Sequence, residues 1–205
     1  MAVCEICNDT QHVKADGGGW QHCQCYYRNR ASERYAEAGF PLPYFGLTAA
    51  EALEMTGFDG DRDPNTLKQT ASWLIQGDGA LVSLRSRGRD TSPIACWLAA
   101  NVALAIPVRR FRLSSVIDES FTGDVEAKRF ERFNKLGELM VIEAFGTDRP
   151  HMWNEPILGD ILTWRVQHGV PTIISPSALG ASEGKVRELY GDRVCAAMAN
   201  IKVQL

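Results

Sequence analysis

The sequence predicts an α/β fold, a parallel sheet flanked by helices, with a small cysteine-rich head at its amino terminus. Three observations lead there. From about residue 65 onward, short apolar runs alternate with helical patterns long enough to cross back over a sheet, which implies parallel strands with helices on both faces. Four of the six cysteines fall within the first 25 residues. Between these two regions lies a stretch broken by Gly39, Pro41 and Pro43. The expected organisation is therefore a metal-binding knuckle over 1–27, a helix and connector over 28–64, and an α/β domain over 65–205.

Composition agrees with a packed core: of 205 residues, 45% are hydrophobic and 23% charged. A net charge of −3 excludes a uniformly basic nucleic-acid-binding chain, so any such role must rest on local basic stretches. The opening "MAVCEICND" lacks a cationic segment followed by an apolar one. The longest apolar run, "IACWLAANVALAIPV", is interrupted by Asn101 and ends at Pro107, short of a membrane span. The expectation is a cytoplasmic protein without a membrane segment.

The elements follow in order. "YRNRASERYAEAGF" contains good helix formers and predicts a short helix over about Tyr27–Ala38. A loop-rich connector runs to about Pro64, after which Asn65 can cap a helix "TLKQTASWLIQ" with Leu67, Ala71, Trp73 and Leu74 on one face. "GALVSL" reads as a strand, and "SPIACWLAANVAL" as a buried helix favoured by Ser92 and Pro93 at its start. "VRRFRLSS" alternates as a strand. "TGDVEAKRFERFNKLG" places Val125, Phe130, Phe133 and Leu136 at helical spacing. "ELMVIEAF" is a buried strand, "PILGDILTWRVQHG" a helix ending at Gly169, "PTIISPS" a strand, and "EGKVRELYGDRVCAAMANI" mostly helix.

In the head, Cys4-x2-Cys7 and Cys23-x-Cys25 are separated by fifteen residues. Two close pairs of thiolates can close a tetrahedral shell around Zn²⁺, and in a reducing compartment such crowding suggests metal rather than disulfides. A closed shell leaves no position for substrate, so the zinc would be structural. His12 and His22 lie nearby, but four thiols suffice. Cys96 and Cys195 lie in helical patterns and read as core residues.

"CEICNDT…CQCYYRNR" followed by "AGFPLPYFGLT" resembles the amino-terminal knuckle and connector of DnaC-type helicase loaders, above all their phage and mobile-element relatives. "GALVSL", "LMVIEAFGTDRPHMWNEPILGDILTWRVQHGVPTIISPS" and "LYGDRVCAAM" follow in the order of that family's AAA+ core, which is also similar to the IstB-type transposition helpers. The resemblance implies an AAA+-like P-loop NTPase fold, a role in DNA replication, and a replicative helicase or an AAA+ loader as partner, with single-stranded DNA as a further one.

The hydrolytic parts that the family uses are degenerate here. A P-loop needs glycines for close backbone approach to phosphate, a lysine, and a hydroxyl for Mg²⁺. The matching stretch "SLRSRGRDTSPIACW" has the single glycine Gly88 and no lysine; none occurs between Lys68 and Lys128. Thr91 and Ser92 offer hydroxyls, although the helix register favours Pro93 at the usual hydroxyl position, and Arg85, Arg87 and Arg89 crowd the loop. Glu143 matches the first acid of the metal strand, or is a satisfied carboxylate at a strand end; Ala144 replaces the second acid. Ser177 stands where the family has a polar sensor. Arg193 matches an upstream arginine, and Ala197 replaces the arginine finger. The expectation is a pseudo-ATPase with no catalytic residue and no ATP cofactor, in which Gly88, Thr91, Ser92, Glu143, Ser177 and Arg193 mark a degenerate nucleotide site. Two alternatives stand beside it: an atypical ATP-binding loader in which the arginine cluster replaces the lysine, and a zinc-containing module for single-stranded DNA. Arg109, Arg110 and Arg112 around Phe111 are the candidate phosphate contacts, or a protective sheet edge. Arg28 and Arg30 read as a solvated helix face, and Trp153 and Trp164 as packing residues.

Overall fold

The computed structural model describes residues 4–57, 63–77, 81–84, 90–112, 133–145, 154–176, 183–199 and 203–204. Residues 122–132 of the helix expected over 122–137, the loop holding Gly88 and the three crowding arginines, Trp153 and Ser177 all lie outside these residues; past Phe133 the described end of that stretch is not helical, and Leu136 is exposed.

The chain begins with a hairpin, β1 (His12–Lys14) antiparallel to β2 (Trp20–His22), which leads directly into α1 (Gln24–Glu37). This helix starts three residues before the sequence pattern suggested, because Cys23 acts as the N-cap. It ends in a Schellman turn. Gly39, at φ +82°, donates to Ala36 O, and Phe40 donates to Tyr35 O. A 3-10 turn (Leu42–Tyr44) and α2 (Ala49–Met55) follow within the expected loop region. A reciprocal capping box starts α2: Thr48 Oγ1 accepts from Glu51 N, and the Glu51 carboxylate accepts from Thr48 N. For α3 (Pro64–Gln76) the cap is Asp63 rather than Asn65. Its Oδ1 accepts from Asn65 N at 2.9 Å, with Pro64 in the first turn, where a missing N–H costs nothing.

Five parallel strands form one sheet: β3 (Leu81–Ser83), β4 (Val108–Arg112), β5 (Leu139–Phe145), β6 (Thr172–Pro176) and β7 (Val203–Gln204), in the order β4-β5-β6-β3-β7. From β3 the chain crosses through α4 (Ser92–Val102) to the far edge, fills back inward through β5 and β6, and leaves by β7 on the other side of β3. The direction of winding thus reverses beside β3. In open α/β sheets, ligands bind at such a reversal, outside the carboxyl ends of the strands.

Two cores cover the sheet. On one face Ala31 and Tyr35 of α1, Phe40, Ala52 and Leu53 of α2, Leu67 and Leu74 of α3, and most of α4 pack against Val108, Val141 and Ile173. Residues of the expected connector therefore belong to the same core as the strands. On the other face α5 (Asn154–Gln167) and α6 (Glu183–Met198) pack on Phe111, Met140, Ile142 and Ile174. Cys96 is buried in the first core, and half-buried Cys195 packs against the second.

Arg165 of α5 is almost fully buried. It donates to the carbonyls of Phe133 (2.7 Å), Glu138 (2.8 Å) and Pro171 (2.7 Å) and to Thr172 Oγ1 (2.7 Å). Burial lowers its pKa to about 9, so it stays cationic at neutral pH. Within α6, Gly191 adopts φ +79°, ψ 178°, a region open essentially to glycine alone, and a β-carbon there would meet the Glu155 carboxylate at 2.2 Å.

Replacing Arg165 by Ala should cost about 3 kcal/mol or more in urea unfolding, since three carbonyls and a hydroxyl lose their donor inside the protein. Gly191→Ala should cost roughly 2 kcal/mol or more from backbone strain and the clash with Glu155. A wild-type urea midpoint for either variant would contradict this account.

Candidate metal centre and nucleotide site

The Sγ atoms of Cys4, Cys7, Cys23 and Cys25 all lie within 4.8 Å of one another. Three features bring them together. The turn after Cys4 returns through Asn8 N to Cys4 O, the β1–β2 hairpin carries the chain back, and Cys23 and Cys25 sit at the start of α1. Cys4 and Cys23 sulfurs are 3.9 Å apart and Cys7 and Cys25 sulfurs 3.3 Å. A tetrahedral ZnS4 shell has sulfur–sulfur edges of about 3.8 Å, given its bond length of about 2.3 Å. The donor set and spacing therefore fit a four-coordinate metal ion. The backbone N–H groups of Cys7 and Ile6 hold the Cys4 thiol down at about 7, while its neighbour Cys7 raises that of Cys25.

At the reversal beside β3 the described residues at the start of α4 are bonded within the chain. Thr91 is the N-cap of α4, and its buried hydroxyl shares a 2.7 Å hydrogen bond with the buried Ser175 hydroxyl of β6. Asp90 Oδ1 accepts from Ser92 N at 2.9 Å. The first amide of the helix, which could otherwise receive an anion, already faces a carboxylate from the chain itself.

Glu143 stands beside Ser175 across the β5–β6 register and is 7% exposed. Its Oε2 accepts from Arg110 Nε (2.8 Å) and lies 2.7 Å from Arg110 Nη2, a forked pair between β4 and β5. Arg110 also donates to Gly39 O and lies over the Phe40 ring. Burial alone would lower the Arg110 pKa, but the Glu143 carboxylate outweighs it and the net direction is upward. Glu143 Oε1 and the Tyr35 hydroxyl are buried without a hydrogen-bond partner among the described residues. Tyr35 and Cys96 complete this polar cluster. Burial raises both, Cys96 to about 11, so both are neutral at physiological pH.

Of the other sequence candidates, Arg109 pairs with Glu138 at 3.1 Å and lies over Phe111. Together with the Arg110 pair, this ties two of the three expected phosphate contacts to the sheet; Arg112 is exposed. Arg193 pairs with Asp160 of α5, and its backbone N–H donates to Glu155 Oε1 at 3.0 Å. Ala197 is buried in the second core, so the position matched to the arginine finger does not face solvent. Arg30 is exposed and pairs with Glu33, and Trp164 stacks on His168. The contributions of Asp90, Tyr35 and Arg110 to this site were not evident in the sequence. Asp90-x-Ser92 does carry a local turn signal, whereas the pairing of Arg110 with Glu143 depends on β4 and β5 being neighbours.

No protein-family model matches the chain, and no curated protein matches it. Among solved structures it is similar to a crystal structure of DnaI, with a TM-score of 0.57 at 10% sequence identity, covering 81% of this chain and 90% of that one. The fold is thus α/β and similar to that of DnaI, with a four-cysteine cluster able to form a small amino-terminal knuckle. No helix among the described residues is long and apolar enough to cross a membrane.

Purified protein should carry one metal ion per chain, measured by elemental analysis. Cys23→Ser should lose it, and a thiol-modifying mercurial should release it stoichiometrically. Metal retained at wild-type occupancy in Cys23→Ser would rule out this ligand set.

Proposed function

We propose that the protein is a catalytically inactive, loader-like AAA+ protein of DNA replication. It binds a replicative helicase or an AAA+ loader partner and loads or inhibits it without hydrolysing ATP. The observation that carries this reading is the forked pair of Arg110 with Glu143. In a working site that acid helps to hold Mg²⁺, and a lysine meets the nucleotide phosphates. Here a fixed guanidinium takes the acid's charge, Asp90 faces the first amide of α4, and the stretch between Lys68 and Lys128 has no lysine. The fold is retained while the groups that would meet nucleotide are engaged with one another. The metal of the knuckle is Zn²⁺ in this reading, in keeping with four thiol donors.

Isothermal titration with Mg-ATP should show no binding at micromolar concentration, and turnover should stay at background. Micromolar affinity together with hydrolysis abolished by Glu143→Gln would overturn the proposal. Affinity capture should retain a replicative helicase or an AAA+ loader from the same replication system; capture of neither would refute the partner assignment. Arg110→Ala should destabilise the fold by roughly 3 kcal/mol, because it strands a buried carboxylate, and should not restore turnover.

A further inference from the structure

The β1–β2 hairpin carries two histidines that neither the metal cluster nor the sheet core uses. We propose that His12 and His22 form a second, exchangeable metal site. It takes a borderline divalent transition ion (Ni²⁺, Cu²⁺ or Zn²⁺) on two imidazoles, with water completing the shell. This goes beyond the loader-like reading and does not depend on it.

The ladder brings the two rings together. His12 and His22 are directly paired in the antiparallel register, and residues paired in this way project to the same face. Their ring centroids lie 4.7 Å apart at an interplanar angle of 42°. With metal–nitrogen bonds of about 2.0–2.1 Å, two imidazoles on one ion have centroids roughly 4.5–5.2 Å apart. The pair therefore already stands at the separation that a shared ion requires.

Each ring is also oriented. His12 Nδ1 lies 2.9 Å from Thr10 O. A carbonyl can only accept, so Nδ1 carries the proton and the lone pair sits on Nε2. Metal-binding histidines are commonly held this way, with the second nitrogen donating to a backbone carbonyl. The His22 ring is stacked on Tyr26 at 3.9 Å and 10°, and Tyr27 stands edge-on to it at 6.0 Å. These contacts restrict the ring without covering it, since His12 and His22 both remain exposed. Neither imidazole belongs to the four-thiol cluster. The two sites differ in kind: four thiols close a shell, whereas two histidines leave positions for water, through which an ion can exchange.

The surrounding charge favours a cation. From Cys4 to Glu37 the acids Glu5, Asp9, Asp16, Glu33 and Glu37 outnumber Lys14, Arg28, Arg30 and Arg34. Arg30 is paired with Glu33, and Arg34 donates to the Ala103 carbonyl. A divalent ion held by four thiolates leaves the cluster itself negative. Lys14 is the base on the same face as His12, two residues away, and it opposes the ion. The strands are three residues each, and a hairpin of that size is marginal by itself. An ion shared by β1 and β2 staples the ladder that carries the chain back to Cys23.

The test is isothermal titration of Ni²⁺ into tag-free, full-length protein whose cysteine cluster holds Zn²⁺, with both metals counted by elemental analysis. Nickel should add about one equivalent per chain while zinc content stays constant. His12→Phe and His22→Phe keep a ring in the stack and remove a ligand. Each should weaken nickel binding about tenfold or more, with zinc content and circular dichroism unchanged. Lys14→Ala should tighten binding, and His168→Phe, at a histidine outside the hairpin, should leave it as it was. Paramagnetic broadening in the nickel-bound protein should fall first on the ring resonances of His12 and His22. Unchanged nickel affinity in both hairpin variants, or binding that does not saturate, would overturn the proposal. So would nickel that displaces zinc instead of adding to it. Loss of zinc from both phenylalanine variants would place the histidines in the thiol shell and refute a separate site.

Discussion

Arg165 reaches from α5 beneath the amino-terminal ends of β5 and β6 and binds the carbonyls of Phe133, Glu138 and Pro171 together with the Thr172 hydroxyl. Removing a guanidinium from water costs several kcal/mol. Among the described residues no carboxylate is bonded to it: the Glu138 carboxylate is turned to Arg109. The offset comes from converging backbone dipoles, and these exist only when both strands start at the right height. The cation therefore sets register. A register fixed at Met140↔Thr172 carries up the ladder to Glu143↔Ser175, which places the polar end of the sheet.

At the opposite end of the strands the same chemistry recurs with a different consequence. Arg110 is positioned by Glu143, by the Gly39 carbonyl and by the Phe40 ring, so the amino-terminal segment and the sheet edge share one cation. Asp90 supplies an anion at the start of α4, and the Thr91–Ser175 bond joins that helix to β6. In the proposed reading, the chain itself supplies both charges that a metal–nucleotide complex would bring. Arg110 stands in for the cation and Asp90 for the phosphate. In that reading the charges are balanced within the chain, so the fold can persist with no nucleotide to stabilise it.

Much of the architecture was legible because it rests on short-range patterns. Continuous apolar runs marked β3, β5 and β6, and Ser92-Pro93 marked the start of α4. The cysteine pairs marked the cluster that the hairpin closes. Helix α2 was missed although its signal, Thr48-x-x-Glu51, is local; the flanking glycines and prolines obscured it. Strand β7 is two residues long and owes its existence to pairing with β3, which no local pattern reports. The polar cluster was the least legible part. Glu143 was read either as a remnant or as a satisfied acid, and Arg110 as a phosphate contact. The identity of each depends on the other, 33 residues away. The arginine strip "VRRFR" looked like one basic surface, but strand alternation sends Arg109 and Arg110 to opposite faces, where separate acids take each of them.

Helix α1 begins at the metal-cluster residues Cys23 and Cys25 and ends at the turn whose carbonyl accepts from Arg110. Fourteen residues of α-helix span about 21 Å. Tyr35 and Ala31 anchor its far half in the core, while its near half carries the knuckle outward. The two ends are thus joined by a strut and not by a tether. The knuckle is therefore held about one helix length from the sheet edge by an element whose far half is part of the core.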